Sequence, residues 1–289
     1  LGRPPLSAAQ PDAARRALRQ SKAILGTPAP AMRSVTDRDA GGVPIRIYRP
    51  VEATGAGLVF FHGGGAVVGD LDTHDLPCHF IADRAGATVV SVDYALAPER
   101  PFPAAPDDAL TAYRWVCDHA GELAVDDGRI AVAGDSFGGN LAAVLCIDAR
   151  GGRAPMPAAQ LLIYPWVDMT MSQPSLDSLA DGYLLTRDDI VWFRGHYLTA
   201  DDQADDPRAS PLWAPALDGL CPAVVLTAGF DPLRDEGERY AERLREAGVD
   251  VDYRCHGGLV HGFASMVAMV DGARDAMAAA CDAVAGILG

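Results

Sequence analysis

No apolar run in the 289-residue sequence approaches the ~18 residues that a membrane-spanning helix requires. The opening stretch LGRPPLSAAQPDAARRALRQ carries no apolar core of a secretory signal, so the expectation is a cytoplasmic protein without integral membrane association. Basic residues are few: 24 Lys and Arg stand against 39 Asp and Glu, a net charge of −15. Without a basic footprint to neutralise phosphates, nucleic acid is not an expected partner, and the acidity reads as a well-hydrated surface. Six cysteines, at 78, 117, 146, 221, 255 and 281, form no C-x-x-C pair and no cluster with histidines at metal-ligand spacing. They are expected to be reduced thiols, several on core faces of helices, and no metal site is expected. Neither an internal repeat nor a low-complexity segment divides the chain.

Apolar residues are plentiful. They make up 49% of the chain, enough for a substantial core. Short apolar runs predict strands at VPIRIYRP (43–50), GLVFF (57–61), TVVSVDY (88–94), RIAVAGD (129–135), AQLLIYP (159–165), AVVLTAGFD (223–231) and VDYRCH (251–256). Between them, helical patterns run through LPCHFIADRAG, DDALTAYRWVCDHA, NLAAVLCIDAR and RDEGERYAERLREAG, with a last helix over about 271–288. Strands that are apolar throughout and separated by helices predict one doubly wound, mostly parallel sheet covered on both faces. Two stretches break the alternation: residues 1–30, with one amphipathic helix, and residues 168–213, with a helix at TRDDIVWFRGHYL. A long excursion between sheet strands predicts a lid or binding element, so the two are expected to cap a single domain spanning 1–289.

In GDSFGGN the pattern G-x-S-x-G falls at Gly134, Ser136 and Gly138, after a strand and before a helix. That context suits a nucleophile elbow, where the turn is tight, the serine strained and its neighbours small. A phosphate-binding turn or a plain N-cap serine fits this pattern alone about equally well. In VFFHGGGAVVGD a strand ends at Phe61, and His62 with three glycines follows. Such glycines let backbone N–H groups converge on a developing oxyanion. A phosphate loop is the rival, but neither Lys-Ser/Thr nor G-x-G-x-x-G spacing is present. His62 is read as bracing the loop. Asp231 closes a strand ahead of Pro232, which suits a catalytic acid and a helix N-cap alike. In the chain order Ser, acid, His, only His256 and His261 follow Asp231, and the loop position favours His261.

Together these motifs resemble the hormone-sensitive-lipase-like esterases, which have the α/β-hydrolase fold. The resemblance rests on HGGG (62–65), DYALAPERPFPAAPDD (93–108), GDSFGG (134–139), YPW (164–166), DPLRDEG (231–237) and HGF (261–263), in that order along most of the chain. It implies a triad of Ser136, Asp231 and His261 in preference to His256. It also implies an oxyanion hole from the N–H groups of Gly64, Gly65 and Phe137, and no cofactor. Asp135 is expected to anchor nearby backbone. Three positions depart from the family pattern: Phe137 where a small residue is usual, Ala66 where an aromatic often stands, and Ala95 in place of Arg.

The activity so implied is hydrolysis of short- to medium-chain acyl esters, with a small ester as the partner. An amidase or peptidase could use the same triad. A ligand receptor on the same fold is the other alternative, although such receptors lack the histidine base that His261 supplies here. Tyr183, Leu184, Trp192 and Phe193, with Tyr197, are the candidate pocket residues, and the Phe137 ring is expected to shorten the acyl pocket. Whether the chain forms homo-oligomers is left open.

Overall fold

A computed structural model of the chain describes residues 8–24 and 29–289, with no side-chain account for residues 22–24. The strands are β1 (Met32–Asp39), β2 (Pro44–Pro50), β3 (Gly57–Phe61), β4 (Thr88–Val92), β5 (Ile130–Asp135), β6 (Gln160–Ile163), β7 (Ala223–Phe230) and β8 (Val251–Val260). They form one sheet in the order β1-β2-β4-β3-β5-β6-β7-β8, antiparallel at β1–β2 and β2–β4 and parallel from β4 to β8. Every residue of β3, β4 and β5 is buried, as a parallel sheet covered on both faces demands.

The helices are α1 (Pro11–Ile24), α2 (Asp75–Ala85), α3 (Ala104–Asp118), α4 (Phe137–Arg150), α5 (Ser175–Ser178), α6 (Arg187–Tyr197), α7 (Arg234–Glu246) and α8 (Asp271–Leu288). Side chains alternate along each strand, so one sheet contributes to two cores. Leu58, Phe60, Val89, Leu161 and Leu226 pack with Ile81 of α2 and Met277 of α8. Val59, Phe61, Val132, Leu162 and Val225 pack with Ala112 of α3, Leu141 of α4 and Leu244 of α7.

Seven strands match the expected runs. The eighth, β1, was not anticipated: its sequence MRSVTDRD is largely exposed on the sheet edge, where no apolar run is required. The excursion at 168–213 contains α5, α6 and 3₁₀ turns at Asp201–Asp205 and Pro211–Trp213. Of the expected N-terminal cap element, residues 1–7 and 25–28 lie outside the described residues.

The chain leaves β3 for β4 on one side and returns to β5 on the other, so the strand order reverses between β3 and β5. A crevice forms at such a switch point, outside the carboxyl ends of the strands. Phe61 pairs with Gly134 in this register, which sets the HGGG loop directly beside the GDSFGG turn. Topology thus joins two motifs 72 residues apart, a separation matched by the hydrogen bond from Gly63 N–H to Asp135.

Candidate active site

Ser136 stands between the end of β5 and the start of α4 with φ 55° and ψ −120°, a conformation that L-residues rarely adopt. Three backbone hydrogen bonds hold it there: Ser136 N–H to Ile163 O (2.9 Å), and N–H groups of Trp166 (3.0 Å) and Asn140 (3.2 Å) to Ser136 O. The glycine requirement is most acute at Gly138, where a Cβ would overlap the Phe61 carbonyl, so the turn packs backbone on backbone.

From Ser136 a hydrogen-bonded line runs across the sheet edge. Its Oγ lies 2.9 Å from His261 Nε2, and His261 Nδ1 lies 2.8 Å from Asp231 Oδ2. A carboxylate can only accept, so Nδ1–H donates to Asp231 and Nε2 is left to accept from the serine hydroxyl. Asp231 is fully buried and its other oxygen accepts Leu233 N–H at 2.9 Å, which fixes the carboxylate. His256 lies within β8, paired with Ala228, and its ring faces Phe263 instead.

The HGGG loop is braced from beneath. Gly63 N–H donates to Asp135 Oδ1 at 2.8 Å, which gives Asp135 the anchoring position expected of it. His62 is completely buried, stacked between Tyr94 (4.3 Å) and His74 (5.3 Å), with Nδ1 2.9 Å from Gly63 O. Burial, with His74 alongside, pushes its pKa down to about 4. The loop then turns through positive φ at Gly64, Gly65 and Ala66, with the N–H groups of Val67 and Val68 donating to Gly64 O. The N–H groups of Gly64, Gly65 and Phe137 have no backbone acceptor among the described residues. Residues that would hold a metal are not found: no group of three or more His, Cys, Asp or Glu is suitably placed among the described residues.

A family model described as alpha/beta hydrolase fold matches residues 58–265. The chain belongs to this family. It is 50% identical over 239 residues to the carboxylic ester hydrolase LipN of Mycobacterium tuberculosis, covering 78% of this chain and 62% of that one. It therefore spans less than two thirds of the mycobacterial relative's length. To an ethyl acetate hydrolase of Pseudomonas putida it is 38% identical, covering 97% of this chain and 91% of the relative. A solved ester hydrolase from the metagenome of Lake Arreo superposes with a TM-score of 0.94 at 39% identity, covering 99% and 93% of the two chains. The resemblance to hormone-sensitive-lipase-like esterases is borne out by these matches.

This α/β-hydrolase disperses the candidate pocket residues. Phe193 of α6 sits on the HGGG-loop side, its ring where a Cβ on Gly65 would be. Trp192 is half-buried, edge-on to Phe193 and His196. Tyr183 stacks on Phe230 at 4.8 Å, one residue before Asp231, and Leu184 beside it is 68% exposed. Tyr197 is buried with Phe102 and Phe137.

The expectation that the Phe137 ring shortens an acyl pocket is corrected. That ring is 0% exposed, enclosed by Tyr94, Trp166 and Tyr197. As the first residue of α4 it turns its side chain back into the core while its backbone N–H stays at the elbow.

Several supports had no assigned role in the sequence reading. Arg15 of α1 donates to Val67 O and Ala97 O, both at 2.8 Å, and pairs with Glu99 at 2.7 Å. The amphipathic helix therefore docks on the segment just after HGGG. Glu236, from DPLRDEG, is buried and its Oε1 accepts the N–H groups of Val167 (2.6 Å) and Asp168 (3.1 Å). Burial and the neighbouring Asp168 push its pKa well up. It secures the turn that delivers Trp166 N–H to Ser136 O.

Among the described residues no helix is long and apolar enough to cross a membrane.

Proposed function

We propose that the protein is a carboxylesterase that hydrolyses short- to medium-chain acyl esters by two-step acyl transfer. The observation that carries this reading is the unbroken line from Asp231 through His261 to Ser136 Oγ, at 2.8 and 2.9 Å, ending on a strained elbow. His261 accepts the serine proton as Oγ attacks the ester carbonyl, and Asp231 holds the imidazolium that forms. The N–H groups of Gly64, Gly65 and Phe137 receive the tetrahedral oxyanion, each contributing about 3 kcal/mol to the transition state. His261 then protonates the departing alcohol, and water repeats the sequence to release the acid.

The preference for small esters is supported by the relative named for ethyl acetate and by Phe193 standing against Gly65. In this reading α1 and the 168–213 excursion act as a cap over the crevice, with a small ester as the partner and the cytoplasm as the compartment.

An organophosphate or fluorophosphonate should label Ser136 stoichiometrically by intact mass and peptide mapping. Loss of activity with the label on another residue removes the nucleophile assignment. His261→Ala should lower kcat by several orders of magnitude, whereas His256→Ala should act mildly, and the reverse ranking would reassign the base. Across p-nitrophenyl esters from acetate to palmitate, kcat/KM should peak at roughly C2 to C6 and decline gradually, because a methylene in an apolar pocket discriminates by only ~1–3 kcal/mol. An optimum at palmitate contradicts the short-chain reading.

A further inference from the structure

Tyr164 ends the β6 segment in an unusual state. Its φ is +37°, a left-handed conformation that a bulky aromatic side chain seldom takes, and its side chain is buried. The backbone is held there by Tyr164 N–H to Leu226 O at 2.6 Å. In that position the ring centroid lies 4.7 Å from the His261 imidazole, tilted by 54°, and 4.9 Å edge-on from Phe263. The hydroxyl accepts Ala264 N–H at 3.3 Å and donates to Asp135 Oδ2 at 3.4 Å. Asp135 holds the oxyanion loop through Gly63, so one side chain touches the His261 ring, its loop and the anchor of the HGGG turn.

We propose that Tyr164 is a positioning residue for ester hydrolysis: its ring supports the imidazolium form of His261, and its hydroxyl ties the His261 loop to the Asp135 carboxylate. This rests on the reading of His261 as the base. The base carries no net charge before the proton moves and one positive charge afterwards. A ring face within about 6 Å of a cation attracts it, so the effect of such a contact is larger in the transition state than in the resting enzyme. The groups facing the imidazole are Asp231 from the end of β7, Ser136 from the elbow and Tyr164 from the end of β6. Behind them, Asp135 lies at the Tyr164 hydroxyl with His74 Nε2 3.4 Å from its other oxygen, and Glu236 of α7 acts electrostatically on the Asp231 side. The Tyr164 substitutions below leave Asp231, Ser136, Asp135, His74 and Glu236 in place.

The test compares Tyr164→Phe, Tyr164→Leu and His261→Ala with wild type in hydrolysis of p-nitrophenyl acetate over about pH 5 to 9. Rates are expressed per active site titrated with an organophosphate, which counts only competent molecules. Tyr164→Leu lacks the ring, so the acid limb of kcat/KM should move to lower pH by about 0.5 to 1, with plateau kcat down about tenfold and KM little changed. Tyr164→Phe keeps the ring, so its acid limb should stay in place while kcat falls about two- to fivefold. If Tyr164→Leu yields no titratable sites, Tyr164→Met takes its place.

An aliphatic variant with the wild-type limb and plateau overturns the ring assignment, as does the same limb shift in Tyr164→Phe. Wild-type kcat in Tyr164→Phe overturns the hydroxyl tie. An active His261→Ala would remove the underlying reading, whereas an inactive one beside wild-type-like Tyr164 variants removes this proposal alone.

Discussion

Acidification from about pH 7 to about 4.5 should draw its largest destabilising contribution from the His62 imidazole. The ring has no exposed surface, and its Nδ1–H faces Gly63 O at 2.9 Å. Its Nε2 is buried without a partner among the described residues. A second proton would place a donor and a charge there with no acceptor, which is why burial holds the pKa at about 4 against an ordinary 6.5. Between those values the unfolded chain binds a proton that the native ring refuses. Stability is therefore fully present above about pH 6.5 and is lost as the pH falls towards 4, below which this group adds no further slope. That difference corresponds to about 3 kcal/mol, a sizeable part of the ~5–15 kcal/mol by which domains are stable.

The assay is urea unfolding at steps between about pH 7.5 and 4.5, for wild type and for His62→Gln, whose side chain does not titrate. The variant should be less stable at neutral pH, yet it should lose far less stability on acidification. His256, whose pKa burial and Arg254 also lower, contributes a smaller slope of the same sign. Glu236 and Asp93, whose pKa values burial raises, act with the opposite sign in wild type and variant alike. Glu99, held down to about 2 by Arg15, and Asp70, lowered through its bonds to Arg19 and Thr73, release their contributions below this window. An equal acid loss in His62→Gln would show that the titrating group lies elsewhere. Because His62 opens the HGGG loop, the same protonation should reduce activity before global unfolding is complete.

Two further outcomes follow from packing. Phe137→Ala should lower stability by about 3–5 kcal/mol through the cavity left among Tyr94, Trp166 and Tyr197, while the chain-length profile stays unchanged; a shift towards longer acyl chains would put the ring back in the pocket. Arg15→Ala removes two charge-assisted bonds to carbonyls, so α1 should open about 2–3 kcal/mol more readily, read by hydrogen exchange across the helix, with lower kcat from a looser HGGG loop. Unchanged exchange in α1 would refute that clamp.

The parts of this fold that were legible from sequence are those where backbone geometry restricts residue choice. A fully buried parallel strand needs an unbroken apolar run, so GLVFF and TVVSV stand out, whereas the exposed edge strand MRSVTDRD carries no such demand. Gly138 is legible because its Cβ would overlap the Phe61 carbonyl, and no other residue type fits that approach. Chain order and loop position favoured His261, and the contacts place it between Asp231 and Ser136.

Side chains that act through partners far along the chain leave no comparable mark. Phe137 looks like pocket bulk when only its neighbour Ser136 is considered. Its direction is set by Tyr94, Trp166 and Tyr197, which local sequence does not connect to it. Arg15 has the pattern of a solvated helix face, and only the fold brings Val67 O and Ala97 O within reach of its guanidinium. Tyr164 is the sharpest case: YPW marks the segment, but nothing in those three letters foretells a positive φ that carries the ring to His261. A glycine at that position would relieve the backbone and lose both the ring and the hydroxyl. The strained conformation therefore persists because contacts to His261, Ala264 and Asp135 outweigh it, and those contacts converge on the groups assigned to the proposed reaction.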